Sequence, residues 1–221
     1  MILTAFGDTH GHHRDLTLPP GDVLICSGDF MRTGNDLAEI IDFNNWLGEQ
    51  PHAYKLVVPG NHDLAFEGTS ASLARSLLTN ATYLENSGTE IGGCLFWGSP
   101  QTPAFNNWAF NAERGSEIRR YWNMIPNATD VLITHGPPRM ILDRIVGNPD
   151  HLGCTDLLER LNIVQPSVHI FGHIHSSYGF YHSGHMRFYN VAVVNEYRED
   201  TPLRVVNPAT EIKLTGGPKW Q

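Results

Sequence analysis

The chain has 221 residues, 41% of them apolar and 17% charged, the proportions of an ordinary water-soluble globular protein with one sizeable core. Its formal net charge of -8 argues against a surface built for nucleic-acid polymers or anionic membranes, which select a basic face. No run is long enough to span a bilayer, and three scattered cysteines (Cys26, Cys94, Cys154) cannot all pair and form no Cys-x-x-Cys, so a thiolate zinc site is unsupported.

In chain order, the apolar run Met1–Phe6 ends at Asp8-Thr9-His10, and Val23–Cys26 ends at Gly28-Asp29. A helix is predicted over Asp36–Leu47, where Leu37, Ile40, Ile41, Asn44 and Leu47 follow three–four spacing behind Asn35 or Asp36 as cap. Leu56–Val58 runs into Gly60-Asn61-His62-Asp63, and Ser70–Leu78 reads as a second helix. Cys94–Trp97 is strand-like; Cys94 and Cys26 are expected to be buried thiols. Residues 98–115 read as a loop carrying Phe105, Trp108 and Phe110. Either its rings pack on the core, or the loop is a flap whose rings stack on a flat substrate group.

Ser116–Ile125 is a third helix, closed by Pro126, and Val131–Ile133 leads into Thr134-His135-Gly136. Thr155–Leu161 is a fourth helix, and Val168–Phe171 leads into Gly172-His173-Ile174-His175. Tyr178–Arg187 reads as a hairpin turning at Ser183-Gly184, followed by strand-like runs at Arg187–Val194 and Pro202–Val206. Strands alternate with helices early and follow one another late, so mixed sheets are expected, within one domain spanning 1–221.

Ligands of such sheets bind beyond the carboxyl ends of the strands. Five strand ends therefore bring Asp8, His10, Asp29, Asn61, His135, His173 and His175 toward one rim. Asp, Asn and His are donors for divalent ions in a mixed oxygen–nitrogen shell, which favours manganese, with iron or zinc as alternatives. Seven such groups exceed the needs of one ion, so two divalent metal ions sharing a carboxylate are implied. Asp8 and His10, one residue apart in extended chain, project the same way, and alternation alone would send His173 and His175 to one ion as well. His12, His13, His52, His151, His169, His182 and His185 match no ligand position, so surface or core roles are expected for them. Arg14 and Arg139 could line the cleft, and Arg119-Arg120 reads as a solvated helix face.

Taken together in this order, the five motifs resemble the calcineurin-like metallophosphoesterase superfamily. Thr134-His135-Gly136-Pro137-Pro138, with Gly153-Cys154 before a helix, is similar to the small metallophosphoesterase-domain proteins that act on cyclic nucleotides. The resemblance implies an α/β fold of two mostly mixed β-sheets packed as a sandwich flanked by helices. It assigns Asp8, His10, Asp29 and His175 to one ion, and Asp29, Asn61, His135 and His173 to the other. His62 becomes the proton donor to the leaving group. The implied activity is a metal-dependent phosphodiesterase in which hydroxide attacks a small nucleotide-like phosphodiester; no nucleic-acid polymer or membrane partner is expected. Alternatives are a phosphomonoesterase or protein phosphatase of the same superfamily, or a nucleotide-binding regulatory module with little turnover.

One position departs from the pattern. Where the protein-phosphatase branch has an Asp three residues after the bridging Asp to support the catalytic His, this chain has Arg32. Support for His62 is expected elsewhere, with Asp63 as the candidate second catalytic residue, and Arg32 could itself contact phosphate. With Asp8 so near the start and no paired cysteines, the chain is expected to be cytoplasmic, without a secretory signal.

Overall fold

A computed structural model describes residues 1–32, 34–68, 71–197 and 200–214. The strands are β1 Ile2–Phe6, β2 Val23–Cys26, β3 Tyr54–Val57, β4 Thr82–Tyr83, β5 Ser87–Ile91, β6 Cys94–Ser99, β7 Thr102–Pro103, β8 Asn111–Ala112, β9 Val131–Thr134, β10 Val168–Phe171, β11 Gly179–Ser183, β12 Met186–Asn190 and β13 Thr210–Lys213. The α-helices are α1 Leu37–Glu49, α2 Ala71–Leu77, α3 Ser116–Trp122 and α4 Thr155–Val164.

The continuous apolar runs form strands because both their faces are covered. β1, β2, β3 and β4 lie parallel in a five-stranded sheet of order β13-β1-β2-β3-β4, with β13 antiparallel at its edge. A six-stranded sheet of order β11-β12-β10-β9-β6-β5 has parallel inner strands and an antiparallel strand at each edge. Side-chain alternation then builds the layers. Leu3, Ala5, Val23 and Ile25 of the first sheet meet Phe96, Val131, Ile133, Val168 and Ile170 of the second in one core. Phe6, Leu24, Cys26 and Val57 face the opposite way, onto Ile40, Phe43, Trp46 and Leu47 of α1. Leu132, Phe171 and Phe188 pack against α3 and α4 through Ile118, Trp122, Leu157 and Leu161. The architecture is helix–sheet–sheet–helix, the mixed α/β sandwich expected.

Several boundaries differ from the sequence reading. Asp36, not Asn35, caps α1: its side chain accepts from Ala38 N at 2.9 Å. Ser70, the expected start of α2, lies outside the described residues. α3 stops at Trp122, short of Ile125, which is still buried in the following turn. α4 continues past Leu161 to Val164, where Gln165 turns left-handed at φ 48. Cys26 is buried, but Cys94 is only partly so, because it opens β6 at the Gly92-Gly93 turn.

The run Arg187–Val194 splits. β12 ends at Asn190, and Val191–Val194 cross to the first sheet, where Gly7 N donates to Val191 O (2.9 Å) and Val193 N to Gly7 O (3.1 Å). Pro202–Val206 is no strand. Pro202 lacks an N–H for a ladder, Arg204 N is taken by the Asn195 side chain, and only a Val194–Val205 bridge forms. No helix among the described residues is long and apolar enough to cross a membrane.

Candidate metal centre

All five polar motifs start within three residues of a strand's end, and the two sheets point those ends at one another. The chain must turn sharply there: Asp8 (φ 54), His10 (φ 43), Asp29 (φ 53) and His173 (φ 69) all lie in the left-handed region, which costs an L-residue energy. Backbone also approaches closely. A methyl group at Gly172 would collide with the Asp8 carboxylate, and one at Gly60 with that of Asp29.

Two donor groups result, joined by a third set, His10, Asp29 and His62, whose ligand atoms also lie within 4.8 Å of one another. In the first, Asp8 Oδ1 lies 3.5 Å from His175 Nε2, and His10 Nε2 lies 3.4 Å from the same nitrogen. In the second, His135 Nε2 lies 2.8 Å from Asn61 Oδ1 and 3.2 Å from His173 Nδ1. Asp29 faces both, with Oδ2 3.8 Å from His10 Nε2 and Oδ1 3.4 Å from His135 Nε2. His175 thus falls with Asp8 and His10, while His173 falls with Asp29 and His135; strict alternation along the Gly172–His175 segment is broken by the left-handed turn at His173.

The rings are held from behind. His135 Nδ1 meets Ser27 O at 2.9 Å and His175 Nδ1 meets Asn195 O at 3.0 Å, so each presents Nε2 to its group. Asp8 accepts from His173 N through both oxygens, at 2.9 and 3.0 Å.

Electrostatics supports cations here. Burial alone would depress His135, but Asp29 and Asp8 outweigh it and hold the ring up at about 9. Burial likewise opposes charge on His175, and Asp8 overcomes it, again to about 9. Burial lowers His10 and His173 to about 4. Asp29, despite burial, stays well below the usual carboxylate range because His135 and His10 face it. Two buried carboxylates therefore favour positive charge in both groups, where imidazole nitrogens and carboxylate oxygens lie within 4.8 Å of one another. That donor set suits divalent ions that bind nitrogen and oxygen.

Asp63 is the correction. It is fully buried, and its oxygens accept from Asp29 N (2.9 Å), Met31 N (2.9 Å) and Gly60 N (2.7 Å). Its carboxylate ties the β2 and β3 turns together and is spent on backbone, not on the His62 ring. Burial and the nearby Asp29 charge push it well above the usual carboxylate range. The His62 ring instead lies between His10, edge-on at 4.8 Å between centroids, and Trp108, tilted 32° at 4.0 Å. The 98–115 loop is split in function. Phe110 is buried in the core, Trp108 sits on His62, and Phe105 is exposed, while Ala109 N donates to Asn61 O at 3.0 Å.

Arg32 donates its backbone N–H to Glu39 Oε2 at 2.7 Å and lays its guanidinium beside Gly11, next to His10. The remaining histidines stay outside both groups. His13 pairs with Asp42, His151 with Asp143, His52 with Pro19 O, and His169 with Thr134. Arg14 is occupied by Asp42 and Glu49, and Arg139 by His151 O. Arg119 is more than a solvated residue: it pairs at 2.7 Å with the buried Asp156 of α4. Ser27 O, Asn195 O and the seat of Trp108 on His62 escape the sequence reading, which names Trp108 only as a ring of the 98–115 loop. The two carbonyls carry no signal in the sequence, whereas Trp108 stands out as an aromatic in a polar loop.

Residues 1–177 match the family model of calcineurin-like phosphoesterases, and the chain belongs to that family. Metallophosphoesterase domain-containing protein 1 of Homo sapiens is 37% identical over 227 residues, spanning 92% of this chain and 69% of that protein. A UPF0046 protein of Caenorhabditis elegans is 38% identical over 209 residues, 89% of this chain and 71% of its own. The structure of phosphopantetheinyl hydrolase from Mycobacterium tuberculosis is similar in fold, with a TM-score of 0.58 at 17% identity over 93% of this chain and 95% of that one. Family membership and the His/Asp groups together define a metal-dependent phosphoric ester hydrolase.

Proposed function

We propose that the protein is a dinuclear phosphodiesterase acting on a small, nucleotide-like phosphodiester. The observation that carries this is Asp29, whose two oxygens face separate donor groups. Asp8, His10, Asp29 and His175 would hold one ion, and Asp29, Asn61, His135 and His173 the other. Manganese is the favoured metal, since the set mixes carboxylate, amide and imidazole without thiolate. When bound, the ions supply Lewis acidity toward phosphoryl oxygens and a water acidic enough to ionise near neutral pH.

The chain's own residues do the rest. His62 protonates the departing alkoxide, with His10 and Trp108 fixing its ring, a contribution of roughly 10²–10⁴ in rate. Asp63 holds the Asp29 and Gly60 turns at the spacing the centre needs. A monoanionic diester suits a centre whose two carboxylates offset part of the metal charge. Three free cysteines suit a reducing cytoplasm.

Metal analysis of protein purified without chelator should give close to two ions per chain, and Asp29→Asn should abolish turnover. In saturating manganese, bis(p-nitrophenyl) phosphate should be hydrolysed faster than p-nitrophenyl phosphate. The opposite preference would make the protein a monoesterase. Tight nucleotide binding without turnover would make it a regulatory module.

A further inference from the structure

Beside Trp108 lies an open cavity of about 390 Å³, within the range of small-molecule sites. Asn106, Asn107 and Asn111 line it with amides, and Glu113 and Glu117 with carboxylates; among the described residues no lysine or arginine lines it. Trp108 belongs both to this wall and to the stack on His62. The loop is fixed to the centre by Ala109 N on Asn61 O, and stiffened by Asn111 Nδ2 donating to the carbonyls of Phe105 (3.1 Å) and Asn106 (2.9 Å).

From this we infer that the cavity is the leaving-group subsite, and that it takes a flat, hydrogen-bonding group that is neutral or cationic, such as a nucleoside, and rejects one bearing a further anionic charge. The inference rests on the phosphodiesterase reading, in which His62 protonates the departing oxygen. Whatever carries that oxygen must lie near His62, and Trp108, whose ring contacts His62, also forms a wall of this cavity. An indole offers a base a stacking face, and the amides of Asn106 and Asn107 match the donors and acceptors of a base edge, while that of Asn111 holds the loop. Glu113 and Glu117 repel an added phosphate; Arg120, 4.0 Å from Glu117, is exposed and offsets this only in part. Because both carboxylates are exposed, their effect is screened and grows as salt is lowered.

Two measurements test this on the metal-loaded protein. Adenosine, which has no phosphate for the ions, should bind by calorimetry. Trp108→Ala should weaken that binding by about tenfold or more, and Trp108→Phe should restore most of it. The second is the ratio of kcat/KM for 2′,3′-cyclic adenosine monophosphate to that for its 5′-phosphorylated form. At low salt the wild type should prefer the first, and Glu113→Gln/Glu117→Gln should narrow the preference at least threefold. Adenosine binding indifferent to Trp108, or a preference unmoved by the double substitution, overturns the assignment. If the wild type hydrolyses no phosphodiester, bis(p-nitrophenyl) phosphate included, while adenosine still binds through Trp108, the activity reading fails and the subsite stands as a nucleoside site.

Discussion

His62 and Asp63 are neighbours in one motif, yet they do different work. His62 Nα donates to Asp29 Oδ1 at 2.7 Å, while its ring stays within 4.8 Å of the His10 and Asp29 ligand atoms and packs against the Trp108 face. His62→Ala should therefore keep the metal content and lower turnover of an alkoxide-leaving diester by roughly 10²–10⁴. For p-nitrophenolate, which scarcely needs a proton, the loss should be much smaller; equal losses would remove the ring from proton transfer. Asp63→Ala is expected to act on the fold instead. It strands three buried backbone N–H groups, partly compensated by relief of repulsion with Asp29, at a cost of about 2–4 kcal/mol. Chemical unfolding in excess chelator measures it. At this scale the convergence of Asp8, His10, Asp29, Asn61, His135, His173 and His175 was legible, because short motifs at strand ends carry them. The Trp108 contact was not, since it depends on where a loop far along the chain comes to rest. Nor was the role of Asp63, because a carboxylate beside a catalytic-type histidine reads as its partner until its backbone bonds are seen.

Among the elements, the apolar runs that lead into the five motifs were read to within two residues and the periodic helices to within three, while Arg187–Val194 split at Asn190. The strands that escaped are short or polar. β13 (Thr210–Lys213) has a single buried apolar residue, Ile212, and exists because it pairs with β1 from Ile2 to Ala5. β5 (Ser87–Ile91) has Ile91 alone, and is made by pairing with β6. Pairing partners, not periodicity, decide such strands. The strand ends carry a sharper constraint. β10 delivers two histidines to different groups only because Gly172 lets the chain graze the Asp8 carboxylate before the left-handed turn at His173. Gly172→Ala should leave the sheets folded, by circular dichroism, while displacing Asp8 and His173 and lowering metal content from about two ions toward one or none. Full metal occupancy in that variant would mean the close approach is dispensable.

Across the whole molecule, folding places one histidine where a proton cannot follow it. His169 sits in β10, fully buried between Phe171 and Phe188, on the helix-covered side of the second sheet. Thr134 Oγ1 donates to Gly136 O at 2.7 Å, so it accepts from His169 Nε2 at 2.8 Å, which fixes the neutral ring with its hydrogen on Nε2. Nδ1 then has no partner. Protonating it would bury an unpaired charge, and burial pushes the ring down to about 3. The unfolded chain binds that proton near 6.5, so between about 6.5 and 3 the unfolded state holds more protons than the folded one. Stability is then full above pH 6.5 and falls as pH drops. Between pH 7 and pH 5 the loss from this residue should be about 2 kcal/mol. Glutamine keeps a donor for Thr134 but does not titrate. Urea unfolding of the wild type and His169→Gln at both pH values, in excess chelator so that metal binding contributes nothing, isolates the difference. The wild type should lose about 2 kcal/mol more than the variant, and parallel losses would show that His169 takes up its proton without unfolding.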